Sequence, residues 1–142
     1  MSKTSTLSPR VRGFIEWRLE HYREDKRILQ EYRAELLPSN TARYGLEAAG
    51  GHGGNGRPTE AMGVKLTTNP YILELERAVE AVEHVTGRLS PERLRLVELV
   101  YWRGTHTIEG AAAALHVSRR TAYRWANEIL TAVALELGYT AI

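Results

Sequence analysis

The chain has 142 residues, 43% of them hydrophobic and 25% charged, with a net charge of +2. That suits one globular domain, or a small domain with an appendage. It has no cysteine, which excludes disulfides and thiolate metal sites and makes a reducing cytoplasm the expected compartment. No apolar run approaches the ~18 residues of a membrane span, so no membrane partner is expected. The opening MSKTSTLSPR lacks the apolar stretch of a secretion signal.

Enzymatic chemistry is not expected. The histidines at 21, 52, 84, 106 and 116 are dispersed, no HExxH pair occurs, and Asp25 is the sole aspartate. Neither a cofactor nor a metal site is suggested. A net charge this small does not by itself imply a nucleic-acid partner, so the placement of charge has to decide.

Residues 1 to 8 are polar. Residues 9 to 37 carry a long charged helical pattern, with Ser8 as N-cap and Pro9 at the first helical position. Ile15, Leu19, Tyr22, Leu29, Tyr32 and Leu36 fall on one stripe. This stripe either lies on the rest of the domain or supports self-association, which makes a homo-oligomer a candidate state. Asp25 and Lys26 interrupt the seam, and Pro38 is expected to stop the helix.

Residues 38 to 69 include AAGGHGGNGRPTEAMG, whose glycine density predicts a flexible linker. Gly51 to Gly56 have the spacing of a phosphate-binding loop. Arg57 and Pro58 then stand where that loop needs lysine and a hydroxyl, so nucleotide binding is not expected.

Residues 70 to 142 form the expected C-terminal domain. Asn69 caps a helix with Pro70 at its first position, and Ile72, Leu75, Ala78, Val79, Val82 and Val85 give its apolar face as far as Thr86 and Gly87. Ser90 and Pro91 repeat the start signal for an apolar helix through Leu94, Val97, Leu99, Val100 and Tyr101, closed by Gly104. No segment alternates like a strand, so the fold class is all-α.

The stretch THTIEGAAAALHVSRRTAYRWANEIL has the pattern of a helix-turn-helix. Thr107 caps the first helix, and Ala112 is the small residue a close helix crossing needs. Leu115 and Val117 flank the turn. His116 occupies the position where a positive φ is needed, which histidine tolerates better than a β-branched residue. Ser118 caps the second helix, whose buried face is read as Ala122, Trp125 and Ile129.

The outward set is then Ser118, Arg119, Arg120, Thr121, Tyr123, Arg124 and Asn127. In this motif the first half of the second helix enters the major groove of double-stranded DNA. Arginine forks hold guanine or clamp phosphate, and asparagine reads adenine. Tyrosine bonds phosphate or packs on a thymine methyl. Within the second helix this face has no acidic residue from 118 to 127.

From LSPERLRLVELVYWRG through AAAALHVSRRTAYRWANEILTAVALELG the chain resembles region four of bacterial sigma factors. It resembles more closely the phage and prophage transcriptional regulators of the RinA/ArpU type, in YWRG, VSRRTAYRW and LELGY and in the helical segments before them. The resemblance implies a DNA-binding activator of phage late genes in a bacterial host cytoplasm, with host RNA polymerase as a second partner. No counterpart is seen of the sigma region that grips polymerase and melts the −10 element. A phage small terminase subunit also combines a helix-turn-helix with oligomerising helices, but usually carries the motif at its N-terminus.

Overall fold

The computed structural model describes residues 7–47 and 69–139. The glycine-rich stretch from 48 to 68, on which most of the linker expectation falls, lies outside the described residues. Among those described there are helices and no strands: α1 (Pro9–Glu20), α2 (Tyr22–Glu47), α3 (Pro70–Thr86), α4 (Pro91–Val97), α5 (Ile108–Leu115) and α6 (Arg119–Glu136). The all-α expectation holds.

The start signals act as read. Ser8 Oγ accepts the Val11 N–H at 3.2 Å, and Asn69 Oδ1 accepts those of Tyr71 and Ile72 at 3.0 and 3.3 Å. Ser90 Oγ accepts from Arg93 at 3.3 Å, Thr107 Oγ1 from Gly110 at 3.0 Å and Ser118 Oγ from Thr121 at 3.0 Å. Each bond satisfies a first-turn donor that the helix leaves without an internal partner.

Two boundaries near the N-terminus differ from the sequence reading. The single helix over 9 to 37 is broken at His21, whose φ of −95° and ψ of 5° leave the helical region. The His21 backbone N–H and ring Nδ1 both approach the Trp17 carbonyl, at 3.0 and 2.9 Å. The imidazole thereby competes with the helical ladder for that acceptor. Pro38 does not stop α2, which runs on to Glu47. A proline inside a helix removes one ladder N–H and crowds the carbonyl four residues back, a local cost of about 3 kcal/mol that does not oblige the helix to end.

The chain divides into two compact units. One comprises residues 24–77. Within it Leu29, Ile72 and Leu75 are buried, and Arg33 of α2 donates to Glu76 of α3 at 2.8 Å.

The other joins residues 1–23 to residues 78–142. Its core gathers Ile15 and Leu19 from α1, and Ala81, Val82 and Val85 from α3. Leu96, Val97, Leu99 and Tyr101 add to it, as do Ala111 and Ala112 of α5 and Ala122, Ala126, Ile129, Leu130, Val133 and Ala134 of α6. The first part of the apolar N-terminal stripe is thus engaged within the chain. Helix α1 packs on α6 and on the segment after α4.

That segment, Glu98–Trp102, is a π-helical turn. Arg103 N–H bonds the Glu98 carbonyl five residues back at 2.7 Å, and the N–H groups of Thr105 and His106 converge on the Leu99 carbonyl at 3.0 and 3.2 Å. The wider turn keeps Leu99 and Tyr101 buried together with Leu96 and Val97. Gly104, at φ +66°, then reverses the chain toward α5.

Leu19 is fully buried, so Leu19→Ala is expected to cost about 2–5 kcal/mol, by lost burial plus the cavity left behind. Chemical denaturation monitored by circular dichroism measures it. A loss under ~1 kcal/mol would show that α1 is not part of this core.

Candidate nucleic-acid interface

The turn between α5 and α6 is built by its backbone. The N–H of His116 bonds the Ala113 carbonyl at 3.2 Å, and that of Val117 bonds Ala112 at 3.0 Å. Between them His116 adopts φ 59° and ψ 42°, and no other non-glycine described residue has a positive φ. Leu115 and Val117 pack against the core on either side. Ala111 and Ala112 face Ala122 and Ala126 within one buried cluster, so α5 and α6 pack against each other through methyl groups.

The buried face of α6 is Ala122, Ala126, Ile129, Leu130, Val133 and Ala134. Trp125, expected inside, is only partly buried. The inward stripe runs through 122, 126, 129 and 133, which leaves position 125 at its edge. There the indole lies 5.3 Å beneath the Arg93 guanidinium of α4, and Arg93 also pairs with Glu128 at 3.0 Å.

The seven residues read as outward are the N-cap Ser118 and six from the first half of α6, and their environments differ. Ser118 and Thr121 serve the cap, and Ser118 Oγ also donates to Thr121 Oγ1 at 3.0 Å. Arg119, Arg120 and Arg124 are exposed. Arg120 has no ion-pair partner among the described residues. Arg119 Nη2 stands 3.9 Å from Glu109 and Arg124 Nε 3.9 Å from Glu128. Exposed pairs at such distances are worth at most about 1 kcal/mol, so these guanidinium groups can be drawn to another anion. The first-turn amides of α6 place partial positive charge beside Arg119 and Arg120.

Tyr123 and Asn127 are held in place. The Tyr123 hydroxyl donates to the Glu109 carboxylate. That bond raises the Tyr123 hydroxyl above the usual tyrosine value. It also lowers the Glu109 carboxyl, with the nearby Arg119 charge adding to the effect. Asn127 is partly buried, and its Oδ1 accepts from Arg12 Nη1 of α1 at 2.5 Å. Arg12 also lies 3.9 Å from Glu16, which accepts the Tyr101 hydroxyl at 3.4 Å.

Glu109 and Arg12 were not among the residues read from the sequence. Both meet α6 from other helices, so the charge pattern of α6 alone could not show them. Glu109 sits in the first turn of α5, a position that sequence reading assigned no contact. Arg12 lies 115 residues before its partner. Among the described residues no group of histidine, aspartate or glutamate is arranged to hold a metal ion, and no helix is long and apolar enough to cross a membrane.

Helix α6 is thus a capped helix with a cationic leading half. A family model described as ECF sigma factor matches residues 40–136. The chain belongs to the ECF sigma factor family. The matched stretch contains α3 to α6 whole, so the likeness to sigma region four holds at the level of the sigma family. A DNA-binding, sigma-like regulatory function goes with that membership. Helix α1 lies outside the match, although its side chains complete the same core. No curated protein and no solved structure matches the chain.

A left-handed residue other than glycine costs about 1–2 kcal/mol, against about 0.5–1 kcal/mol of extra backbone entropy for glycine. His116→Gly is therefore expected to leave thermal stability unchanged or raise it by up to about 1 kcal/mol. His116→Val is expected to lower it by more than that, and melting curves of the two variants check the order. A glycine variant that melts well below the native chain would mean that the imidazole itself supports the turn.

Proposed function

We propose that this sigma-family chain is a sequence-specific regulator that binds double-stranded DNA, and that it activates phage or prophage late genes inside a bacterial host. The observation that carries the reading is the leading half of α6. It presents Arg119, Arg120 and Arg124 outward from a capped helix start, beside an Asn127 already oriented by Arg12. The likeness to RinA/ArpU-type regulators in YWRG, VSRRTAYRW and LELGY supports the phage assignment.

In this reading Arg119 and Arg120 meet phosphate near the helix start, while Ser118 and Thr121 line the same approach. Arg124 reaches a guanine edge, and Asn127 offers its amide to adenine. Tyr123 bonds phosphate or packs on a thymine methyl. Host RNA polymerase is the second partner, the action takes place in the cytoplasm, and no catalytic step or cofactor is involved. Since α1 is engaged in the core, any oligomerising role proposed for the N-terminal region falls to α2.

Arg119→Glu with Arg120→Glu is expected to abolish retention of duplex DNA, while melting stays near the native value because both side chains are exposed. Arg124→Ala is expected to cost about 1–3 kcal/mol on the preferred site if it reads a base. If it meets phosphate instead, the loss is uniform across sequences and the salt slope falls by about one. Footprinting across a phage genome locates the sites: upstream of late operons supports activation. Sites at the packaging start, with light scattering that shows a ring of about eight or more subunits, would favour a small terminase subunit instead.

A further inference from the structure

Glu109 stands outside the recognition helix, yet two of the outward side chains of α6 turn toward it. Its carboxylate accepts the Tyr123 hydroxyl and lies 3.9 Å from Arg119 Nη2. A carboxylate oxygen and a phosphate oxygen are equivalent acceptors for a hydroxyl and a guanidinium. Both cannot hold the same donors, and two anions set side by side there repel each other.

We propose that Glu109 is a built-in competitor for DNA phosphate, which holds Arg119 and Tyr123 in the free protein and must release them on any duplex. Release is a cost common to every sequence, and only base contacts further along α6 can offset it. Glu109 therefore weakens binding to every duplex by a similar factor, and leaves occupied only those sites whose base contacts are strong enough to offset it. The inference rests on the DNA-binding reading of α6 and adds an affinity-setting residue that lies in α5.

The competition is shallow. The side chains of Arg119 and Glu109 are 72% and 44% exposed, so solvent screens the pair. The titration directions fit the same contact: Tyr123 holds its proton beyond the usual tyrosine range, chiefly because it donates to Glu109. The link is thus complete between the ordinary carboxyl and tyrosine values; it is lost as pH rises through the elevated Tyr123 value or falls through the lowered Glu109 one.

Glu109→Gln tests this, because glutamine still accepts the Tyr123 hydroxyl but carries no charge. Fluorescence anisotropy with a random-sequence duplex is expected to show binding about two- to fivefold tighter than that of the native chain. The salt slope is expected to steepen by about one as Arg119 becomes free to take a phosphate. In an Arg119→Ala background most of the gain disappears. Unchanged or weaker binding by a Glu109→Gln variant with native melting would overturn the proposal. So would a gain that persists in full without Arg119, since net charge alone would then explain it. A native chain with no affinity for any duplex overturns the DNA-binding reading and this inference with it, whereas a native chain that binds while the variant changes nothing overturns the inference alone.

Discussion

The outward face of α6 depends on how closely α5 and α6 can approach. Ala111, Ala112, Ala122 and Ala126 are all buried where the two helices pack. Methyl-sized side chains allow that approach, and a larger one would push the helices apart. The left-handed His116 then brings the chain round within two residues, so that the cap Ser118 opens α6 at a fixed angle to α5. Once this crossing is set, Arg119, Arg120 and Arg124 have little choice but to face outward. Trp125 is left at the margin, where Arg93 covers it.

Around that crossing the molecule places a second layer of polar control. Tyr101, Glu16, Arg12 and Asn127 form a relay from the π-helical turn through α1 to the middle of α6. Glu109 does the same from α5 at the leading end. Helix α6 is therefore not a free rod with basic side chains. One end is tethered by an anion and the middle by a cation, both supplied by neighbouring helices. Membership of the ECF sigma factor family explains why a helix-turn-helix stands here. It does not by itself explain these two tethers, which come from the particular residues at positions 12 and 109.

What could be read in the sequence was local. The caps at Ser8, Asn69, Ser90, Thr107 and Ser118 follow from short polar side chains at the start of a helical pattern, three of them directly before a proline, and all five accept the bonds that definition requires. The positive φ of His116 follows from the tightness of the turn. What escaped was set by partners far away in the chain. The bond from Arg12 to Asn127 has no local signature, and neither has the approach of Glu109 to Tyr123. Trp125 was misread because a large aromatic at a helical spacing draws the eye more than alanine does, although Ala126 is the residue the close packing needs. The π-helical turn was hidden because Leu96, Val97, Leu99, Val100 and Tyr101 are apolar enough to suit either pitch. Pro38 carries a local penalty, a lost bond and a crowded carbonyl, and α2 continues past it.

The way α1 enters the core bears on the order in which the chain can fold. Ile15 and Leu19 belong to a cluster whose other members begin at Ala81, and residues 24–77 between them form their own unit. As the chain leaves the ribosome, α1 emerges well before the rest of its apolar surroundings. Contacts so distant in sequence carry a loop-closure cost before they return any stabilisation, and they slow folding relative to a chain whose neighbours in space are neighbours in sequence. Until the segment after α4 and then α6 are made, the apolar side of α1 lacks the helices it packs on and stays open to water or a chaperone. Helix α1 is thus made early and joins its core late, once the residues from Ala81 onward are in place.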